Sequence, residues 1–212
     1  MIDIAIAPDL ASIVTLGVLT IDRVTVREHD AALGAALEVA AQQIRGGGEP
    51  DTNPSRTMYK RLGIDPTKTR PSSEALLRRV RKGNPLPRIN TLVDISNWCS
   101  VELQWCYGLY DLSNVVPPVI LRRGQPGEEY SGIRKDAVHL DGRPALVDAR
   151  GPFGNPTSDS ARTMVTPVTT TAMYVIFAPS GTNRERVDQA LSLTAARAAE
   201  FGGARETGRA II

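Results

Sequence analysis

Arg70-Pro71-Ser72-Ser73-Glu74-Ala75-Leu76-Leu77-Arg78-Arg79, followed shortly by Leu86-Pro87-Arg88-Ile89-Asn90-Thr91-Leu92-Val93-Asp94-Ile95-Ser96-Asn97, frames the rest of the chain. The proline, the paired hydroxyls and the acid predict a helix opening near Ser72 or Ser73. A small hydroxyl there accepts unpaired first-turn amide hydrogens, and a carboxylate suits the dipole. Ala75, Leu76 and Leu77 form its apolar side and Arg78, Arg79, Arg81 and Lys82 its basic end, before Gly83, Asn84, Pro85 and Pro87 stop it. The next segment sets Asn90, Asp94, Ser96 and Asn97 among Ile89, Leu92, Val93 and Ile95, so any polar group buried there needs a hydrogen-bond partner. Arg88, beside the prolines and this segment, reads as an internal structural fork.

Working outward, Ile2, Ile4 and Ile6 alternate with Asp3, Ala5 and Ala7 as a strand, and the early acids and missing basic leader argue against a secretory signal. Ser12 to Val26 is rich in β-branched residues and predicts a second strand, with a bend at Gly17. Asp30 is placed to cap a helix whose apolar face is Leu33, Leu37, Ala40, Ala41 and Ile44, ending at Gly46-Gly47-Gly48. A loop runs to Thr52, and helical spacing resumes from Ser55 to Arg61. His29 has no metal-ligand partner at useful spacing and reads as a surface or helix-entry histidine; His139 reads as a solvent-facing strand residue, with pocket duty as the lesser alternative.

The later chain predicts a helix from Trp98 to Leu103, a strand entered through Trp105-Cys106-Tyr107-Gly108, and a short strand at Val119 to Leu121. Val138 to Asp148 reads as two strands joined by an Asp141-Gly142 turn. Gly151 to Ser160 is loop-like and hydroxyl-rich. Its glycines would let backbone amides approach a ligand, and its polar side chains would satisfy either a substrate or the loop itself. A buried strand at Ala172 to Ala178, an amphipathic helix from Asn183 to Gly202 and a final strand at Ala210-Ile211-Ile212 complete the reading.

The 212 residues are 42% hydrophobic, enough for a globular core, and 25 basic against 23 acidic residues leave a net charge of +2. That balance carries no bulk field for nucleic acid and no sign of DNA binding or a membrane partner. The basic third from Arg56 to Arg88 supplies a local patch instead, with Arg78, Arg79, Arg81 and Lys82 as phosphate contacts. A solvated helix face with local ion pairs remains the plainer alternative. Cys99 and Cys106 are spaced for neither zinc nor a redox pair and read as reduced core thiols, which points to the cytoplasm. No metal or cofactor is implied.

The helix, then Pro87-Arg88-Ile89-Asn90 and Leu92-Val93-Asp94-Ile95-Ser96-Asn97, then Tyr107-Gly108-Leu109-Tyr110-Asp111-Leu112, resembles the B3/B4 domain of the bacterial phenylalanyl-tRNA synthetase beta chain. Free-standing B3/B4 proteins are more similar still, sharing Tyr59-Lys60-Arg61-Leu62-Gly63 and Arg70-Pro71-Ser72-Ser73. Asp159 to Thr166 is a second anchor, and the likeness runs from about Ser55 to Ala178. It implies an α+β fold of mixed sheets with flanking helices over the whole chain, 1–212. A β-rich subdomain, 117–166, is inserted, and residues 1–54 complete or cap the first sheet. The family's editing pocket removes tyrosine wrongly attached to the phenylalanine tRNA. Matched without gaps, its Thr-Asn pair falls on Ser96 and Asn97. A histidine common in the synthetases falls on Gly108, and a pocket glutamate falls near Phe177.

The resemblance therefore implies a trans-editing aminoacyl-tRNA deacylase without a complete tRNA ligase. Ser96 and Asn97 are its catalytic candidates; Asn90, Tyr107, Gly108, Gly154, Asn155, Ser160 and Thr163 are its substrate-binding candidates. An aminoacyl ester is already activated, so positioned water, backbone amides near Gly108 and Gly154, and the neighbouring ribose hydroxyl would suffice without a protein nucleophile. No triad, nucleophile elbow or phosphate-binding Gly-rich loop is present. The competing readings are a non-catalytic module that binds aminoacylated tRNA or a free amino acid, and a transferase in which an amine replaces water.

Overall fold

The computed structural model describes residues 2–134 and 136–212. In order, the elements are β1 (Ile4–Ile6), α1 (Pro8–Ala11), β2 (Val14–Asp22), α2 (Ala31–Gly46), α3 (Asn53–Arg61), α4 (Ser72–Arg81) and α5 (Thr91–Leu103). They continue through β3 (Cys106–Asp111), β4 (Val119–Arg123), β5 (Glu129–Ser131), β6 (Ala137–His139), β7 (Pro144–Asp148), β8 (Gly151–Gly154), β9 (Ala172–Pro179), α6 (Arg184–Gly202) and β10 (Arg205–Ile211). The fold is α+β. No helix among the described residues is long and apolar enough to cross a membrane.

A sheet of order β10-β2-β9-β3 lies at the centre, antiparallel throughout. Successive side chains of a strand point to opposite faces, and β9 shows why this run is apolar throughout. Tyr174, Ile176 and Ala178 enter a core with Leu33, Leu37, Leu77, Val80, Leu92, Ile95 and Leu191, beneath α2, α4, α5 and α6. Met173, Val175 and Phe177 enter a second core with Met58, Tyr59, Val119, Leu121, Leu146 and Phe153. That core faces the second sheet, of order β1-β4-β7-β8. β1 joins it parallel to β4, Ile4 opposite Val119, while β2 belongs to the central sheet, so the first strands serve both sheets.

Local chemistry explains several boundaries. Asp30 Oδ1 accepts the Leu33 amide at 2.8 Å and opens α2 as expected. Arg88 is the fork that its position suggested: its Nε donates to Asp94 Oδ2 at 3.0 Å and its Nη2 to the Asp30 carbonyl at 3.2 Å.

Four local expectations are corrected. Pro71, not a serine, occupies the cap position of α4, with no side-chain cap. Gly17 makes no bend: β2 runs straight through it, and a Cβ there would lie 2.8 Å from Val187 Cγ1, so glycine lets α6 close on the strand. The Asp141-Gly142 turn is real, with Gly142 at φ +65°, but the flanking strands pair elsewhere, β6 with β5 and β7 with β4 and β8. The last strand starts earlier, at Arg205, because β10 pairs with β2 from Arg205 opposite Asp22 to Ile211 opposite Gly17, with an irregularity at Thr207.

Candidate functional site

Helix α5 carries the two residues expected to act. Asn90 caps it, its Oδ1 accepting from the Val93 amide at 3.0 Å, so this side chain holds the helix end. Asp94 is 1% exposed and accepts from the Ile89 amide at 2.8 Å as well as from Arg88. Burial pushes its pKa up, against the pull of those donors. Ser100 donates to the Trp105 carbonyl at 2.6 Å. Ser96 and Asn97 differ from these neighbours: neither side chain hydrogen-bonds any described residue, although Ser96 is 7% exposed. At 100° per residue they lie on the flank of α5 turned away from Trp98 and Glu102. The latter pair packs on α6 through Arg197, whose guanidinium lies 3.6 Å over the Trp98 ring and 2.6 Å from Glu102.

Gly108 and Gly154 do come together, on the other side of the central sheet. A Cβ on Gly108 would stand 2.2 Å from the Tyr110 hydroxyl and one on Gly154 2.3 Å from it. Tyr110, fully buried, fills the space between them and meets Phe153 edge-on at 4.9 Å. Burial first, then the facing Asp159 carboxylate, raise its pKa well above the ordinary phenol value, so it is neutral at physiological pH. Tyr107, its side chain on the opposite face of β3, pairs its hydroxyl with Thr194 Oγ1 at 3.2 Å within the helix-side core. The α5 pair and the two glycines are thus in different layers.

The loop after β8 turns Asn155 and Ser160 on its own backbone, while Thr157 reaches Tyr59. Asn155 Oδ1 accepts the amides of Thr157 and Ser158, both at 2.8 Å. Ser160 accepts the Arg162 amide at 3.1 Å, and Thr163 lies 3.5 Å from the Phe153 carbonyl. Arg162 locks the loop's far end, both Nη atoms standing 3.0 Å from the Asp148 carboxylate.

The basic end of α4 divides in two. Arg79 donates to the Pro85 carbonyl at 2.7 Å, and Arg81 binds Glu49 at 2.9 Å and the Gly48 carbonyl at 2.6 Å. Arg78 and Lys82 are exposed and have no partner among the described residues. They border a cleft of about 400 Å³ with Glu49, Thr52 and Leu77. Farther up the helix, Glu74 accepts from Arg56 at 2.8 Å and from Arg70 at 3.1 Å, neutralising part of the basic stretch.

Sequence reasoning gave Ser72 and Ser73 the wrong task. Both hydroxyls are buried without a partner among the described residues, inside the first turn of α4. The repeated hydroxyl after a proline was the signal, but a cap and an unpaired first-turn serine look alike in sequence.

The model of the B3/4 domain family matches residues 55–200. The chain belongs to the B3/4 domain family. No curated protein matches its sequence. Among solved structures, the B3/4 chain is similar to an N-terminal fragment of the phenylalanyl-tRNA synthetase beta-subunit from Pyrococcus horikoshii, with a TM-score of 0.53 and 13% identity over 99% of this chain. That alignment covers 54% of the fragment, so the B3/4 chain spans about half its length, and at this identity the likeness is one of fold.

Proposed function

We propose that this B3/4 protein is a trans-acting aminoacyl-tRNA deacylase whose substrate-facing groups are Ser96 and Asn97. The observation that carries the reading is their unspent hydrogen-bonding capacity, on a helix whose other polar side chains at 90, 94 and 100 are engaged. The ester needs no protein nucleophile. An amide and a hydroxyl that orient water and the acyl carbonyl, assisted by the ribose hydroxyl of the terminal adenosine, lower the barrier by positioning and by stabilising the oxyanion. Arg78 and Lys82 are proposed to hold tRNA phosphates. Both cysteines are free and buried, which suits a reducing compartment such as the cytoplasm.

Release of labelled amino acid from a panel of correctly and incorrectly charged tRNAs tests the activity. Asn97→Ala is expected to slow turnover about a hundredfold, the usual scale for losing one oxyanion or substrate donor. Its unfolding free energy should change by no more than about 0.5 kcal/mol, since no intramolecular bond is lost. Loss of stability in step with activity would remove Asn97 from the site.

tRNA binding has its own check. The Arg78→Ala, Lys82→Ala double variant is expected to flatten the dependence of log affinity on log salt by about 1.4, two single-strand phosphate contacts at about 0.7 each. Arg79→Ala is expected to leave the slope unchanged because that guanidinium is tied to Pro85.

A non-catalytic binding module is the second reading, favoured by Tyr110. It fills the space between Gly108 and Gly154, and those glycines contribute no side chain to move a proton. Binding of charged tRNA without release across the panel would select it.

A further inference from the structure

A cleft of about 390 Å³ opens at the far end of α5, some seven residues and so about 11 Å along the helix from Ser96 and Asn97. Its walls come from the loop before α3, the α5 to β3 junction, and the turn leading into α6. Three of its groups have chemistry that the fold does not use.

The first is Gln104, 6% exposed and held in the left-handed region at φ 57°. Its Nε2 donates to the Val101 carbonyl, which orients the amide, and its Oε1 is left buried without a donor. An acceptor in that state costs free energy until a donor reaches it. The second is Arg186, which lies 5.1 Å over the Trp105 ring and pairs with no carboxylate among the described residues. This cation–π contact holds the exposed guanidinium near the cleft and leaves its N–H groups available for an anion. It projects from the first turn of the 19-residue helix α6, whose N-terminal end favours negative charge. The third is Asp51 at the rim, one of whose oxygens accepts from the Asn53 amide while the other remains available. By contrast, the Thr182 hydroxyl is committed to the Pro179 carbonyl and Asn183 to the Glu185 amide.

We propose that this cleft binds a small carboxylate with an adjacent hydrogen-bond donor, an α-hydroxy or α-amino acid. The carboxylate lies against Arg186 and the α6 end, and the donor is directed to Gln104 Oε1. The inference is independent of the deacylase reading, since it uses none of that site's residues.

The test is NMR titration of the full chain with L-lactate, L-alanine and propionate, following the Trp105 indole and Gln104 amide signals. Lactate, alanine or both should shift these signals saturably. Propionate, which lacks the donor, should bind at least about tenfold more weakly, the equivalent of one hydrogen bond. Arg186→Gln should abolish the shifts while the rest of the spectrum stays folded. Asp51→Asn separates the two ligand sources, weakening alanine through its ammonium and leaving lactate unchanged. Absence of saturation by both acids, equal binding of propionate, or binding retained in Arg186→Gln would each overturn the proposal.

Discussion

Arg162→Ala is expected to destabilise the protein by about 3–5 kcal/mol, the cost of leaving a buried charge without its counter-ion. The Asp148 side chain is 0% exposed and receives both ends of the Arg162 guanidinium. The same guanidinium donates to the carbonyls of Asn114 at 2.9 Å and Gly151 at 3.1 Å, and lies 5.6 Å over the Phe153 ring. One substitution therefore frees the β8 loop, the turn after β3 and the carboxylate together. In a chain of this size the melting temperature should fall by roughly 10 °C. Burial acts to raise the pKa of Asp148, but Arg162 and the amides of Val116 and Arg150 outweigh it, and the net shift is downward. A lowered carboxylate pKa contributes stability that is present above the unfolded value, near 4, and is lost as pH falls through the folded value. The difference between wild type and Arg162→Ala should accordingly be full at neutral pH and shrink below about pH 4. Thermal unfolding of both proteins from neutral to acidic pH is the measurement. A difference independent of pH would show that the packing of Arg162, not its charge, matters.

Sequence made legible those features whose cause is local. Asp30 caps α2 three residues before Leu33, as expected, and Arg88 is the internal fork expected of it, its partner Asp94 only six residues on. The unbroken apolar run of β9 identified a strand covered on both faces. What stayed hidden was set by partners far along the chain. Gly17 is glycine because Val187 needs its space, and Gly154 because Tyr110 does. The Asp141-Gly142 turn was readable, but not which strands its neighbours would join. For the candidate site the division is similar. Residue type picked out Asn90, Asn155 and Ser160 as polar groups able to meet a substrate, and only the fold shows their oxygens turned to nearby amides. Nothing local distinguishes those three from Ser96 and Asn97, whose distinction is a lack of partners.

Gly154→Ala and Gly108→Ala should each destabilise the protein by about 1–3 kcal/mol or more, because a methyl group enters a space already filled. The new Cβ of residue 154 would lie 2.3 Å from the Tyr110 hydroxyl and 2.6 Å from its ring, and that of residue 108 would lie 2.2 Å and 2.7 Å from the same atoms. The ring has nowhere to retreat, since it is fully buried and seated against Phe153. Tyr110→Leu removes the obstacle and is itself costly, through the volume it empties. Combined with Gly154→Ala, however, it should cost less than the sum of the single changes, because the methyl group then occupies part of that volume. Chemical denaturation of the four proteins in the cycle measures the coupling; simple additivity would show that the strand and loop shift apart instead of clashing. The same variant bears on function. If ester cleavage uses amides at Gly108 and Gly154, substrate can reach them only when the Tyr110 side chain is elsewhere, and Tyr110→Leu should raise deacylation per folded molecule. If the chemistry belongs to the Ser96 and Asn97 flank of α5, a change on the other face of the sheet should leave the rate alone.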